Sequence, residues 1–261
     1  MTQNERQDHM PSWPVGGVDA ELERLQSRYV PSLPETDVAG LLHDPALSDT
    51  AVVSSFGAES AALLHYVTRI RPGIPVIFLD TGKHFPETLS YRDDLAERLD
   101  LSLVIARPDS GTLQTDDPHG HLHAIDPNAC CTIRKTFPLQ DALEGFSSWI
   151  SGRKRYQGAS RAALPLIERD GTRIKVNPFA LWSREDIEAY FEAHALPRHP
   201  LERSGYPSIG CAPCTRAVAE GEDPRAGRWP QMPDKTECGI HLGPDGHFVR
   251  NAAARNRKDE T

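Results

Sequence analysis

The sequence predicts an α/β fold, a parallel sheet with helices on both faces, followed by an irregular C-terminal tail. Three observations carry this. Short apolar runs, AVV before Ser54, PVIFL before Asp80 and LSLVIA before Arg107, read as buried strands. The segments between them, GAESAALLHYVTRI and PETLSYRDDLAERLD, carry apolar residues at helical spacing. Strands alternating with amphipathic helices close into a parallel sheet through right-handed crossovers.

Taken in order, residues 1–17 contain Pro11, Pro14, Gly16 and Gly17 and read as a flexible leader. VDAELERLQSRY reads as a helix with Leu22 and Leu25 on one face. AVVSSF is the first strand, and the helix after it turns Ala61, Leu64, His65 and Thr68 toward the sheet. PVIFLD is the second strand. The next helix opens on Pro86 and Glu87, residues suited to a first turn, with Leu89, Leu95 and Leu99 on its inner face. LSLVIAR is the third strand. After Pro108 a polar loop holds HGHLHAIDPNA, and TIRKTFPLQDALEG resumes as a helix. SSWISGRK and RIKVNPF read as further strands. SREDIEAYFEAHAL is a helix capped by Ser183, with Asp186 at the capping-box position usually held by Glu or Gln. The expected division is a leader over 1–17, an α/β domain over 18–196 and a tail over 197–261. The tail is rich in Pro, Gly, Cys and Arg without periodicity, so something other than a hydrophobic core must order it.

Composition narrows the function. At 261 residues the chain fits one large domain or one domain with an appendage. Its 29 basic and 37 acidic residues give a net charge of −8, which argues against a nucleic-acid binder, so an anionic ligand must find a local basic pocket. The longest apolar runs fall far short of the ~20 residues that span a bilayer, and MTQNERQDHM lacks a signal peptide's apolar centre. A soluble, cytoplasmic protein with no membrane partner is expected. Five cysteines, an odd number, are a poor disulfide framework in that setting.

Four groups of residues carry chemistry. Ser54 to Ser60, SSFGAES, joins a strand to a helix, where small residues and backbone N–H groups suit a phosphate or sulfate. It is not a Walker loop, since no GK[ST] follows, and a plain small-residue turn would look similar. FLDTGKHFPET places Asp80, Thr81 and Gly82 at the carboxyl end of the next strand, where open α/β sheets bind ligands. Cys130, Cys131, Cys211 and Cys214 supply four thiolates for zinc or an iron–sulfur cluster, and adjacent cysteines are unusual in structural zinc sites. Lys135 lies close enough in sequence to couple such a cluster to an anion. Cys238 in KTECGIHL is left over from the tetrad, a candidate nucleophile if cations surround it. Cations are plentiful: Arg153, Lys154, Arg155 and Arg161, then Arg216, Arg225 and Arg228. His119, His121, His123 and Asp126 form a weaker rival metal site.

Together, SSFGAES, LDTGKHFPET, DPNACCTIRKTFPL, SGRKRYQGASR, GYPSIGCAPCTRAVAEGEDPRAGRW and KTECGIHL resemble the assimilatory adenylyl-sulfate reductases of iron–sulfur type, within the APS/PAPS reductase family. The resemblance runs from about Asp49 to Leu242. It implies a fold like the adenine nucleotide α-hydrolases, with 18–196 binding the nucleotide and 197–261 contributing to the cluster and the chemistry. Cys130, Cys131, Cys211 and Cys214 would ligate a 4Fe-4S cluster, with Lys135 between cluster and substrate. Ser54, Ser55, Phe56, Gly57 and Ser60 would form the modified PP-loop, beside Asp80 and Gly82 of the LDTG motif. Arg161 matches the arginine of the substrate loop, Arg225 and Arg228 the two arginines after the CxxC, and Cys238 the catalytic cysteine. The loop departs from SGGxDS in lacking one Gly and its Asp, which fits binding a nucleotide without cleaving ATP.

The implied reaction is reduction of adenosine 5'-phosphosulfate to sulfite and AMP through an enzyme S-sulfocysteine, with thioredoxin as electron donor. The rivals are a reductase of the 3'-phosphorylated substrate, an ATP-dependent PP-loop enzyme of tRNA thiolation and a non-catalytic zinc module. The sequence leaves a homo-oligomer open.

Overall fold

The computed structural model describes Trp13 and residues 17–30, 38–158, 161–232, 235 and 237–240. Most of the expected leader and the end of the tail from residue 241 lie outside the described residues. In chain order the elements are α1 (Gly17–Tyr29), α2 (Val38–Leu42), β1 (Thr50–Val53), α3 (Ser60–Ile70), β2 (Pro75–Leu79), α4 (Pro86–Arg98), β3 (Ser102–Ala106), α5 (Ser110–Asp116), α6 (Leu122–Ile125), α7 (Pro127–Cys131), α8 (Phe137–Ala142), β4 (Ser148–Ser151), β5 (Ile167–Asp170), β6 (Arg173–Val176) and α9 (Arg184–Ala193). Among the described residues no helix is long and apolar enough to cross a membrane.

The strands form one six-stranded sheet in the order β3-β2-β1-β4-β6-β5. All neighbours are parallel except β5 and β6. β1 is central, its Val53 in register with Ile77 of β2 on one side and Ser151 of β4 on the other. Successive residues of β1 face opposite ways, as the strand period requires. Val52 joins Leu25, Leu64, Leu95, Ile187 and Phe191, contributed by α1, α3, α4 and α9. Ala51 and Val53 join Ile77, Leu79, Trp149 and Leu139, the last from α8. Helices thus cover both faces, as the apolar patterning implies.

Three expectations need correction. The HGHLHAIDPNA stretch is not a loop throughout: it holds α6 and α7. The Asp126 carboxylate accepts from the N–H groups of Asn128 and Ala129 at 3.0 Å, and Pro127 sits where a first-turn proline is tolerated. The helix expected to run on from Thr132 begins instead as a π-turn over Thr132–Thr136 that carries Arg134 and Lys135. β5 escapes a pattern search because IERD lacks alternating apolar residues. It is an edge strand folded back on β6 through Gly171 and Thr172, with Gly171 at a φ of 65°; the Asp-Gly pair is the readable hairpin signal.

The start of the tail is fastened to α4 by His199. Its Nδ1 accepts from the N–H of Leu201 at 3.1 Å, which leaves Nε2 to donate to Thr88 Oγ1 at 3.0 Å, and its ring meets Tyr91 at 4.9 Å. Burial pushes the imidazole down from its usual 6.5 to about 4. Between these values the folded chain binds fewer protons at this site than the unfolded chain, so stability falls as pH drops from about 6.5 toward 4. Thermal melts across that window are expected to show a loss on the order of 2 kcal/mol that His199→Gln largely removes. An unchanged pH slope in the variant would refute the assignment.

Candidate active site

The loop leaving β1 is bent by an internal anchor. Ser54 Oγ accepts from the N–H of Phe56 at 3.2 Å, and Phe56 takes a left-handed backbone with a φ of 49°. A non-glycine residue there costs about 1–3 kcal/mol. Burial of its ring, edge-on to Phe78 at 5.5 Å, opposes that strain. Ser54, Ser55, Gly57 and Ser60 line a cleft, whereas Phe56 faces the core. This cleft opens to solvent.

At the end of β2, Leu79 and His84 reach the cleft, while Asp80 and Gly82 stand outside its lining. Asp80 accepts from the N–H of Gly82 at 3.1 Å and pairs with Arg107 at 3.2 Å, and Gly82 turns at a φ of 67°. Behind them Arg134 donates to the Thr81 carbonyl at 2.8 Å and pairs with buried Asp117 at 2.6 Å. These residues shape the turn that carries His84. Burial pushes His84 below its ordinary range, so it presents a neutral ring.

Beyond β4 the SGRKRYQ segment wraps the loop that leaves β1. Glu59 accepts from Lys154 Nζ at 2.8 Å, Tyr156 Oη at 2.5 Å and Gln157 Nε2 at 2.8 Å. Burial resists the charge on Glu59, but the Lys154 ammonium and the two other donors hold its carboxyl below the ordinary range. Glu59 stands where SGGxDS has Asp, and its oxygens are engaged by these donors.

Cys130 and Cys131 end α7, and Cys211 and Cys214 bracket a tight turn in the tail. All four are free, buried thiols lining one small cavity. The tail turn is tied to the turn after β2: the N–H of Ala212 donates to the Lys83 carbonyl at 2.8 Å, and Thr81 Oγ1 lies 3.4 Å from Cys211 Sγ. Burial pushes the Cys130 thiol up to about 12. Lys135, Cys211 and Arg228 line both this cavity and the cleft, so the two spaces share a wall. Burial opposes the charge on Lys135, yet the sulfurs of Cys211, Cys238 and Cys131 keep its ammonium above the ordinary range. Among the described residues, no group of three or more His, Cys, Asp or Glu side chains stands in the geometry of a single-ion site. That includes the alternating histidines, where His123 Nδ1 instead lies 3.2 Å from the Gly120 carbonyl.

Cys238 is half-buried and lines the cleft together with Arg161, Arg225, Arg228 and Glu237. Arg161 donates to both Glu237 oxygens, at 2.5 and 2.8 Å, and Arg225 lies 3.7 Å from the same carboxylate. Arg228 donates to the Ile209 carbonyl at 3.1 Å and lays its guanidinium against Gly210, where an added Cβ would displace it. The remaining cations divide. Arg153 lines the cleft and pairs with Glu168, Arg155 donates to the Leu164 carbonyl at 2.8 Å, and Arg216 pairs with Glu222 on the surface at 3.1 Å. Sequence reasoning passed over Glu59, Gln157, His84 and Glu237; only Glu59 had a readable signal, its place in the loop motif.

Comparison with known proteins follows this geometry. Residues 49–217 match the phosphoadenosine phosphosulfate reductase domain. A protein of Chelativorans sp. (strain BNC1) named adenosine 5'-phosphosulfate reductase is 52% identical over 204 residues, 78% of this chain and 82% of the relative. One of the same name from Mesorhizobium japonicum is 47% identical over 231 residues, 87% of this chain and 89% of the relative. The crystal structure of a phosphoadenylyl-sulfate reductase from Candida auris superposes with a TM-score of 0.63 at 23% identity, covering 80% of this chain and all of that one, a likeness of fold.

The buried Glu59 cluster makes the cleft wall sensitive to one charge. Glu59→Gln leaves the Lys154 ammonium without its counter-ion and is expected to lower unfolding stability by about 3 kcal/mol. In denaturant titration the midpoint falls at constant slope; a midpoint within error of the parent would contradict the pairing.

Proposed function

The chain belongs to the phosphoadenosine phosphosulfate reductase family, and from that premise we propose that it reduces adenosine 5'-phosphosulfate to sulfite and AMP in assimilatory sulfate reduction. One observation carries the reading: Cys238 lines the same cleft as the phosphate loop after β1 and the cations Lys135, Arg225 and Arg228. In this reading residues 18–196 form the nucleotide-binding domain and 197–261 the catalytic tail.

The Cys238 thiolate attacks the sulfur of the phosphosulfate, the bond from sulfur to the bridging oxygen breaks, and AMP leaves with the electron pair. Cys238 is left as an S-sulfocysteine. A dithiol of thioredoxin, the expected donor in the cytoplasm, then attacks Cys238 Sγ and expels sulfite. The donor's second thiol frees Cys238 and leaves the donor oxidised by two electrons. Attack by an anion on an anionic group is repulsive, so cations aimed at the developing charge are the main requirement. Each well-placed donor is worth about 3–4 kcal/mol in the transition state. Ser54, Ser55, Gly57 and Ser60 bind the anionic end of the nucleotide, Phe56 fixing their loop from below and Asp80 and Gly82 shaping the neighbouring turn. Arg161 adds positive potential from the cleft wall.

Cys130, Cys131, Cys211 and Cys214 would hold a 4Fe-4S cluster. Support comes from the donor set, four free buried thiols around one cavity, and from the cations that flank it. When bound, the cluster supplies a covalent tether between α7 and the tail and negative charge against Lys135, while the two electrons come from the dithiol. The commitment of Glu59 to Lys154, Tyr156 and Gln157 weighs against ATP pyrophosphatase chemistry, since the acidic position of the loop is taken. The relatives' shared name favours the nucleotide without a 3'-phosphate.

Cys238→Ser is expected to keep nucleotide binding and release no sulfite, and the parent enzyme to gain one sulfonate on Cys238 by mass spectrometry when the donor is withheld. Sulfite release by the variant at the parent rate would end this assignment. Steady-state kinetics with the two nucleotides side by side are expected to give the higher kcat/KM without the 3'-phosphate; the reverse order would make the chain a reductase of the phosphorylated substrate.

A further inference from the structure

Arg161 gives three of its five N–H donors to protein acceptors. Its Nε and Nη2 grip the two oxygens of Glu237, and its Nη1 donates to Gln157 Oε1 at 2.5 Å. The side chain is only 11% exposed. The other end of Gln157, Nε2, donates to Glu59. An unbroken line of hydrogen bonds therefore runs from the phosphate loop through Gln157 and Arg161 to the residue immediately before Cys238. The forked pair fixes the guanidinium plane on the tail side of the cleft. By contrast Lys135 and Arg228 stand on the wall shared with the cysteine cavity.

We propose that Glu237 is the positioning residue of the nucleophile: its forked bond to Arg161 docks the tail so that Cys238 stands in the cleft. The inference rests on the reading of Cys238 as the nucleophile. A bidentate guanidinium–carboxylate pair fixes direction as well as distance. The next Cα along the chain is held about 3.8 Å away, so seating Glu237 confines Cys238 to one side of the cleft. Arg225 closes the pair from the other side, 3.7 Å from Glu237. Glu237 keeps 25% of its side chain exposed, which lets the pair open when Cys238 must meet an external thiol. Because Gln157 links Arg161 to Glu59, the tail docks on the same wall that shapes the phosphate loop, and nucleophile and nucleotide share one frame.

The test uses the full-length enzyme purified anaerobically, with Glu237→Gln, Arg161→Gln and the double variant. Single-turnover sulfonation of Cys238 is expected to slow about 10-fold or more in Glu237→Gln, the size of a lost charge-assisted bond. AMP binding should stay within about 3-fold of the parent, well below the effect of losing such a bond. Alkylation of Cys238 by iodoacetamide, read by peptide mapping, should speed up as the tail loosens. The double variant should be no slower than the worse single variant, because one bond is removed either way. Sulfonation at the parent rate, additive losses in the double variant, or tighter AMP binding in Glu237→Gln would each overturn the proposal, the last by making Glu237 a competitor for the anion site. Failure of the nucleophile assignment is separate: Cys238→Ser would then still release sulfite.

Discussion

The parallel pairing of β1 with β4 is the constraint on which the cleft depends. From β1 the chain crosses outward to β2 and β3 on one side, whereas β4, β6 and β5 fill the other. The strand order therefore reverses between β1 and β4, and the loops leaving their carboxyl ends diverge, which opens a crevice there without any special residue. Register completes the arrangement. Val53 stands beside Ser151, so the phosphate loop and the SGRKRYQ segment leave the sheet at the same level. Glu59 of one can then reach Lys154, Tyr156 and Gln157 of the other. A slip of one residue would turn Val53 and Trp149 to the wrong faces and break both the core and the cleft.

Charge is the second organising demand. A chain with a net charge of −8 gathers Lys135, Lys154, Arg153, Arg161, Arg225 and Arg228 around one crevice. Like charges at this density repel, and each buried cation needs a counter-charge or acceptor. Glu59 answers Lys154, Glu168 answers Arg153, and Glu237 answers both Arg161 and Arg225. Lys135 differs, because the groups holding its charge are sulfurs. The acidic total of the sequence is thus silent on the cleft, where carboxylates were placed to hold cations and not to repel a ligand.

Much of this was legible in the sequence. Apolar runs and helical spacing located β1, β2, β3, α3, α4 and α9, since each buries a face and must carry the period of its element. The capping box at Ser183 and Asp186 forms as the residue types imply, each side chain bonding the other's backbone N–H. Polar elements were harder. β5 has no apolar alternation, Ile167 being its one apolar residue, and α6 and α7 are too short for a period to show. The π-turn that carries Lys135 differs from an α-helix in hydrogen-bond register and not in composition, so no residue pattern announces it. Among the site residues the cysteines and arginines were visible by type and spacing. Glu237 and Gln157 were not, because an isolated carboxylate and an isolated amide acquire their meaning only when folding brings Arg161 between them.

The tail poses the problem the sequence stated most openly, a segment with too few apolar residues to order itself. Leu201 and Ile209 form one small cluster with Ala58, and around the cysteines the solution is a cluster centred on one large residue. Trp229, 3% exposed, packs with Cys211, Cys214, Met232 and Cys238. Three cations stand over its ring, Arg228 at 4.6 Å, Lys235 at 5.4 Å and Arg225 at 5.9 Å. Its N–H donates to the Cys214 carbonyl at 2.9 Å, and its left-handed backbone, at a φ of 47°, reverses the chain toward Cys238. The indole therefore meets two demands at once: its body replaces the missing apolar cluster, and its π face holds together arginines that would otherwise repel. Beyond Trp229 the described residues are tied down contact by contact, because no run of apolar residues is there to do it: Met232 and Cys238 lie against the indole cluster, Glu237 is forked to Arg161, Thr136 Oγ1 donates to the Gly239 carbonyl at 3.3 Å, and Ile240 packs on the core between the sheet and α8.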